Sequence, residues 1–203
     1  IVNGRLSIDC YLEGLKQTYS KLIRSNITIK STDYIVLHHP YNKLVRKAVK
    51  TLCDMDDISD SDGVYEKKCS QSCMISRNVG NIYSGSVYLC LLSLCLNMSQ
   101  SESSESIINK TCTMYSYGSG YMASMIQLRF LSEASDIIDI PMIDQTLESD
   151  SCDCSYDEYE TAMRLRQNCF GRKDYKTCGK KPTKSDIYYL DHIENGVRYY
   201  IKT

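Results

Sequence analysis

The sequence predicts an α/β fold, and three observations carry the prediction. A helix-spaced apolar stripe runs through residues 7–24. A β-branched run at 33–39 is closed by Pro40 and followed at once by a second helix-spaced stripe. Two alternating segments then flank the Ser-Tyr-Gly-Ser-Gly of residues 116–120. Helix, strand, helix and a strand pair in that order fit a sheet covered by helices.

Taken in order, "SIDCYLEGLKQTYSKLIR" (7–24) places Ile8, Leu12, Leu15, Tyr19 and Leu22 at steps of three and four, and Ser7 is its expected cap. "DYIVLHH" (33–39) reads as a buried strand that Pro40 ends. The next helix carries Leu44, Val45, Ala48, Val49 and Leu52 on one face. "CDMDDISDSDGVYEKKC" (53–69) reads as an acidic loop whose Asp pattern lacks the register and closing Glu of a calcium loop. A short strand is expected at 73–76, a turn at 78–81, a helix at 82–97 and a surface loop at 98–110. Residues 111–131 give two strands around a glycine kink. Residues 132–154 read as acidic and irregular, and 156–169 as a helix. Residues 186–203 read as a hairpin turning on Asn195-Gly196, with His192 structural.

Composition excludes some roles. Twenty-four basic and 25 acidic residues leave a net charge of −1, so no global field points to nucleic acid or an anionic membrane. The longest apolar run, "VYLCLLSLCL" (87–96), is too short to span a bilayer. Without an initiator Met, the chain reads as a fragment or a processed product. Its 11 cysteines are odd in number and do not form paired C-x-x-C knuckles, which favours reduced structural thiols over zinc or a disulfide framework. The sequons at Asn26, Asn97 and Asn109, with those cysteines, are the argument for a secreted, glycosylated alternative.

Chemistry concentrates at one corner. His38 and His39, two of only three histidines, fall at the carboxyl end of the first strand, where α/β folds collect ligands. Lys43 and Lys47 share a face near the start of the next helix; on pattern alone they read as a solvated face. Gly118 and Gly120 around Ser119 allow close backbone approach. The G-x-S-x-G nucleophile elbow is not present.

Four stretches in order, "IVNGRLSIDCYLEGL" (1–15), "HHPYNKLVRKA" (38–48), "VGNIYSGSVYLCLLSL" (79–94) and "YSYGSGYMASMIQLR" (115–129), resemble the C-terminal half of hydroxymethylglutaryl-CoA synthases. "YETAMRLRQ" (159–167) and "DIYYLDHIENGVRYY" (186–200) are weaker echoes, so the resemblance spans nearly the whole chain, 1–203, as one C-terminal domain. It implies a thiolase-like layered α/β fold, here the C-terminal half. It also implies an acyltransferase that condenses acetyl-CoA with acetoacetyl-CoA, for isoprenoid or ketone-body synthesis. In that family a cysteine is acetylated, a glutamate removes a methyl proton, and the carbanion attacks the ketone.

By the same resemblance His38, the first residue of H-x-P-Y, is the catalytic histidine, and His39 falls at a variable position without a role. Lys43 and Lys47 match positions facing the coenzyme A phosphates. Asn81 matches an acyl contact, and Ser119, rather than Ser116, matches the serine at the acyl carboxylate end. No metal and no cofactor beyond coenzyme A thioesters as substrates is implied. A homodimer in the cytoplasm is expected, with neither nucleic acid nor membrane as partner. The family's cysteine and glutamate motifs belong to the N-terminal half and are not in this sequence. The chain is also shorter than relatives between 52 and 78. A non-catalytic acyl-CoA- or partner-binding half-enzyme is the alternative reading.

Overall fold

A computed structural model describes residues 3–100, 106–118, 121–136, 139–149, 153–177 and 181–203. The chain divides into two compact units, residues 1–144 and 145–203.

The first unit is built on a three-stranded sheet in the order β1-β2-β3. β1 (Tyr34–Leu37) runs parallel to β2 (Thr111–Gly118), with Tyr34 opposite Cys112 and Leu37 opposite Tyr115. β2 turns back into antiparallel β3 (Met122–Arg129), with Thr111 opposite Arg129. Alternation along β1 sends Ile35 and Leu37 to one face and Tyr34 and Val36 to the other. On the first face lie α1 (Gly4–Arg24) and α2 (Asn42–Met55). On the second lies α5 (Ser86–Gln100), through Val87, Cys90 and Leu94. The result is a helix–sheet–helix sandwich in which every residue of β1 is buried, as a strand covered on both faces requires.

The buried line of α1 is Tyr11, Leu15 and Tyr19, with Gly14 between them; Ile8, Leu12 and Leu22 pack at its margin. A Cβ on Gly14 would stand 3.0 Å from both the Tyr115 hydroxyl and Ala123 Cβ, so glycine sets how closely α1 approaches the sheet. The expected Ser7 cap is corrected. Helix α1 starts at Gly4, and Asn3 caps it by accepting from the Leu6 N–H. Five of the six buried residues of α2 are the predicted face; Cys53 is the sixth.

The segment expected as an acidic loop is largely helical. After α2 come α3 (Ser61–Val64), a wide turn through Tyr65–Cys69, a 3₁₀ turn at Ser70–Cys73 and α4 (Met74–Val79), which also replaces the strand expected at 73–76. The reason is a buried line at spacing four, Tyr65, Cys69 and Cys73, in which two of three members are cysteines acting as small hydrophobes. The acidic residues lie outside this line. Arg46 on α2 bonds Glu66 at 2.7 Å and sits 3.9 Å over the Tyr65 ring, so a cation on α2 holds the segment from its charged side.

Tyrosine replaces phenylalanine in this core, and each fully buried tyrosine hydroxyl has a partner. Tyr19 donates to Asp56 Oδ2 at 2.7 Å, Tyr11 to the His38 carbonyl at 2.8 Å and Tyr115 to the Tyr11 carbonyl at 2.9 Å. Residues 98–110, expected as surface loop, continue α5 to Gln100 and return with Ile107 buried; 101–105 lie outside the described residues.

Residues 132–154 are not wholly irregular either: α6 spans Ile140–Ser149. In the second unit α7 (Tyr156–Cys169) starts with a capping box between Ser155 and Glu158. β5 (Tyr188–Glu194) and β6 (Val197–Lys202) form the predicted hairpin, with Asn195 and Gly196 at φ 51° and 82°, as a type I′ turn needs. A short β4 (Tyr175–Lys176), not predicted, pairs with β5. His192 stacks on Tyr199 at 4.5 Å and bonds Asp191, consistent with a structural part.

Candidate active site

His38 leaves the carboxyl end of β1 with its backbone fixed on both sides. Its N–H continues the ladder to the Tyr115 carbonyl at 2.8 Å, and its carbonyl accepts from the Tyr11 hydroxyl at 2.8 Å. Tyr115 in turn bonds the Tyr11 carbonyl, so α1, β1 and β2 are tied at one point. The next residue is tied to α5. The His39 N–H donates to Ser86 Oγ, and the Ser86 hydroxyl donates to the His39 carbonyl, both at 3.0 Å. Neither Tyr11 nor Ser86 stood out in the sequence. Tyr11 lies off the predicted apolar stripe, and a lone serine at a helix start carries no signal of its own.

The His38 side chain lines a cavity of about 660 Å³, 8 % of its surface exposed. That volume suits a small-molecule ligand. The Tyr11 and Tyr117 rings lie 6.4 Å from the imidazole, centre to centre. Burial lowers the His38 pKa from its ordinary value, and the neighbouring His39 lowers it further, so the ring is neutral at neutral pH. A neutral ring keeps one N–H to donate and one nitrogen to accept.

Asn81 lines the same cavity. Its Oδ1 accepts from the Tyr83 N–H at 2.8 Å, which leaves its amide N–H groups as donors. The loop that presents it is strained. Gly80 sits at φ 85°, ψ −161°, a conformation open in practice to glycine alone, and Tyr83 is at φ 54°. A Cβ on Gly80 would meet nothing within 4 Å, so Gly80→Ala tests the backbone and not packing. The substitution is expected to cost about 1–3 kcal/mol in urea unfolding. An unchanged midpoint would mean that the loop relaxes.

Lys43 and Lys47 lie on the exposed side of α2, the helix whose Leu44 lines the cavity, and neither has an ion pair among the described residues. Ser119 lies outside the described residues; Gly118 lines the cavity. His38 and Asn81 are thus brought together, and the lysines stand outside the lining. Among the described residues that line the cavity there is no cysteine and no carboxylate.

The fold is the thiolase-like fold of the HMG synthases. The chain matches the HMG synthase of the curacin biosynthetic pathway in complex with apo donor-ACP at a TM-score of 0.82 and 20 % identity, over 100 % of this chain and 52 % of that one. It matches MvaS in complex with 3-hydroxy-3-methylglutaryl coenzyme A at 0.76 and 22 %, over 100 % and 51 %. The family model described as hydroxymethylglutaryl-coenzyme A synthase C terminal matches residues 1–63 and 56–202, and the chain belongs to that family. It is 28 % identical to the hydroxymethylglutaryl-CoA synthase of Saccharomyces cerevisiae over 97 % of this chain and 49 % of the relative. It is 25 % identical to the cytoplasmic enzyme of Gallus gallus over 96 % and 47 %. The chain therefore spans about half the length of the relatives it matches.

The alignment with the yeast relative runs over 245 positions although the chain has 203 residues, so that relative carries segments absent here. The two pieces of the family match meet at 56–63, inside the segment expected to be short.

Proposed function

We propose that the chain is the C-terminal part of an enzyme that condenses acetyl-CoA with acetoacetyl-CoA to hydroxymethylglutaryl-CoA, and that His38 is its catalytic histidine. The observation that carries this reading is a neutral, backbone-clamped imidazole in a cavity that also presents an asparagine, in a chain of this family. When the acetyl carbanion attacks the ketone, negative charge builds on the ketone oxygen. An imidazole N–H carried on a backbone already fixed at both sides stabilises that charge with little reorganisation. Asn81 contacts the acyl group through its amide, and Ser119 its carboxylate end. The cysteine that carries the acetyl group and the glutamate that removes the proton come from an N-terminal half. No described residue lining the cavity supplies either function.

Lys43 and Lys47 meet the phosphates of coenzyme A from the start of α2, where the helix dipole also favours anions. Replacing both by Gln in the native polypeptide is expected to weaken acetoacetyl-CoA binding roughly 3- to 10-fold and to flatten its salt dependence. Calorimetry at two ionic strengths checks this, and an unchanged Kd would remove the lysines from the site. Assembly as a homodimer and a cytoplasmic setting belong to the same reading. No described helix is long and apolar enough to cross a membrane.

A second reading, favoured by a cavity whose described lining holds neither cysteine nor carboxylate, is a half-enzyme that binds acyl-CoA without turning it over. It predicts coenzyme A affinity with no acetyl-enzyme.

A further inference from the structure

β1 is an edge strand: β2 lies on one side of it, and among the described residues no strand lies on the other. His38 turns its N–H to β2, so the backbone groups of Ile35 and His39, an odd number of residues away, face the open side. Buried backbone groups there need partners. Serine hydroxyls supply them. The Ser72 hydroxyl stands 3.3 Å from the Ile35 carbonyl. At His39 both groups are met: Ser86 Oγ accepts from the N–H and donates to the carbonyl, each at 3.0 Å, with both residues buried. A hydroxyl donates and accepts at once, so Ser86 replaces, for one residue, the strand that is not there.

The same serine begins α5 and closes the loop that carries Asn81. The Ser86 N–H donates to the Tyr83 carbonyl, and the Tyr83 N–H donates to Asn81 Oδ1 at 2.8 Å. Within that turn the Gly85 N–H bonds the Ile82 carbonyl at 3.2 Å. A continuous line of hydrogen bonds thus runs from Asn81 through Tyr83 and Ser86 to the backbone of His39, the residue next to His38. The loop needs such a hold. Gly80 and Tyr83 sit at φ 85° and 54°, and strained backbone persists only where its surroundings fix it.

We propose that Ser86 is a positioning residue that sets His38 and Asn81 at one fixed separation on the cavity, so that its hydroxyl contributes to the rate of condensation and not to stability alone. The proposal rests on the roles given above to His38 and Asn81; the bridge itself does not. Two groups act together on one acyl group only while their spacing holds, and a displacement of about 1 Å can cost roughly 100-fold in rate. Tyr11 and Tyr115 hold the His38 corner from α1 and β2 and leave the Asn81 loop unaddressed. Ser86 joins the two: its side chain holds the corner and its backbone holds the loop.

Helix α5 supplies its own control. Ser93, two turns further along the same face, makes the same kind of bridge elsewhere. Its hydroxyl donates to the Gln71 carbonyl at 2.8 Å and accepts from the Ile75 N–H at 3.3 Å, and it is fully buried. Neither Gln71 nor Ile75 lines the cavity. Ser93→Ala removes the same atom and the same two bonds from the same helix, yet leaves His39 and the Asn81 loop tied.

The test compares Ser86→Ala, Ser86→Thr and Ser93→Ala in the native polypeptide by urea unfolding, single-turnover acetylation, steady-state condensation and nitrogen NMR of the His38 ring. Both alanine variants are expected to lower the urea midpoint by similar amounts. Ser86→Ala alone is expected to slow condensation, roughly 10- to 100-fold in kcat with a smaller change in KM, and to displace the His38 signals. Acetylation is expected to be unchanged, and Ser86→Thr, which keeps the hydroxyl, to recover most of the rate. Equal effects of the two alanine variants on condensation would overturn the proposal, as would a folded Ser86→Thr as slow as Ser86→Ala. In the wild type the His39 amide is expected to exchange its hydrogen as slowly as the amides of β1. Fast exchange there would overturn the bridge even if no variant folded. Displaced His38 signals in Ser86→Ala, with condensation indifferent to His38→Ala, would uphold the bridge and strike only the functional reading.

Discussion

His38→Ala in the native polypeptide is expected to slow condensation roughly 100- to 1,000-fold, the usual effect of removing one preorganised donor to a developing oxyanion. Acetyl transfer to the cysteine should be nearly unaffected, because in the proposed role the charge that His38 would meet develops only when the ketone is attacked. The substitution suits the question, since the bonds that fix residue 38 are made by its backbone to Tyr115 and Tyr11 and survive in alanine. Single-turnover acetylation measured beside overall turnover separates the steps. Equal loss of both, or loss of neither, would remove His38 from the role.

The largest expected effect on stability lies away from the cavity. Asp56 is buried at the end of α2, and its Oδ2 accepts from the Tyr19 hydroxyl at 2.7 Å and the Ile29 N–H at 3.1 Å. It joins α1, α2 and the approach to β1 through one carboxylate. Asp56→Ala leaves the Tyr19 hydroxyl without an acceptor in the core and opens a void, a combination expected to cost about 2–4 kcal/mol. Asp56→Asn, which keeps an acceptor oxygen, should cost less than half of that. Urea unfolding of both variants checks the order. Equal losses would mean that the charge, and not the hydrogen bonds, is what Asp56 supplies.

Where periodicity was strong, the sequence was legible. Leu44, Val45, Ala48, Val49 and Leu52 marked α2, β-branched residues marked β1, and Asn195-Gly196 marked the last turn. Residues 53–79 were misread because charge in the segment hides a sparse buried line. Tyr65, Cys69 and Cys73 are spaced as a helix face, but cysteine and tyrosine are weak apolar signals beside five aspartates. The site divides along the same line. His38 and Asn81 came from motif order, and both line the cavity. Tyr11 and Ser86, which hold the histidine pair in place, act through a hydroxyl on a distant backbone, and no local pattern announces such a bond. Cys73 and Cys90 were read as structural thiols, and both are buried in the core.

The most direct measurement of the central claim is product formation by the native polypeptide given acetyl-CoA and acetoacetyl-CoA, with the product identified by mass. Hydroxymethylglutaryl-CoA and free coenzyme A are the products expected if the proposed condensation takes place. Binding of both thioesters without product, and without an acetylated cysteine, would contradict it and leave the chain as a site that holds acyl-CoA and does no chemistry.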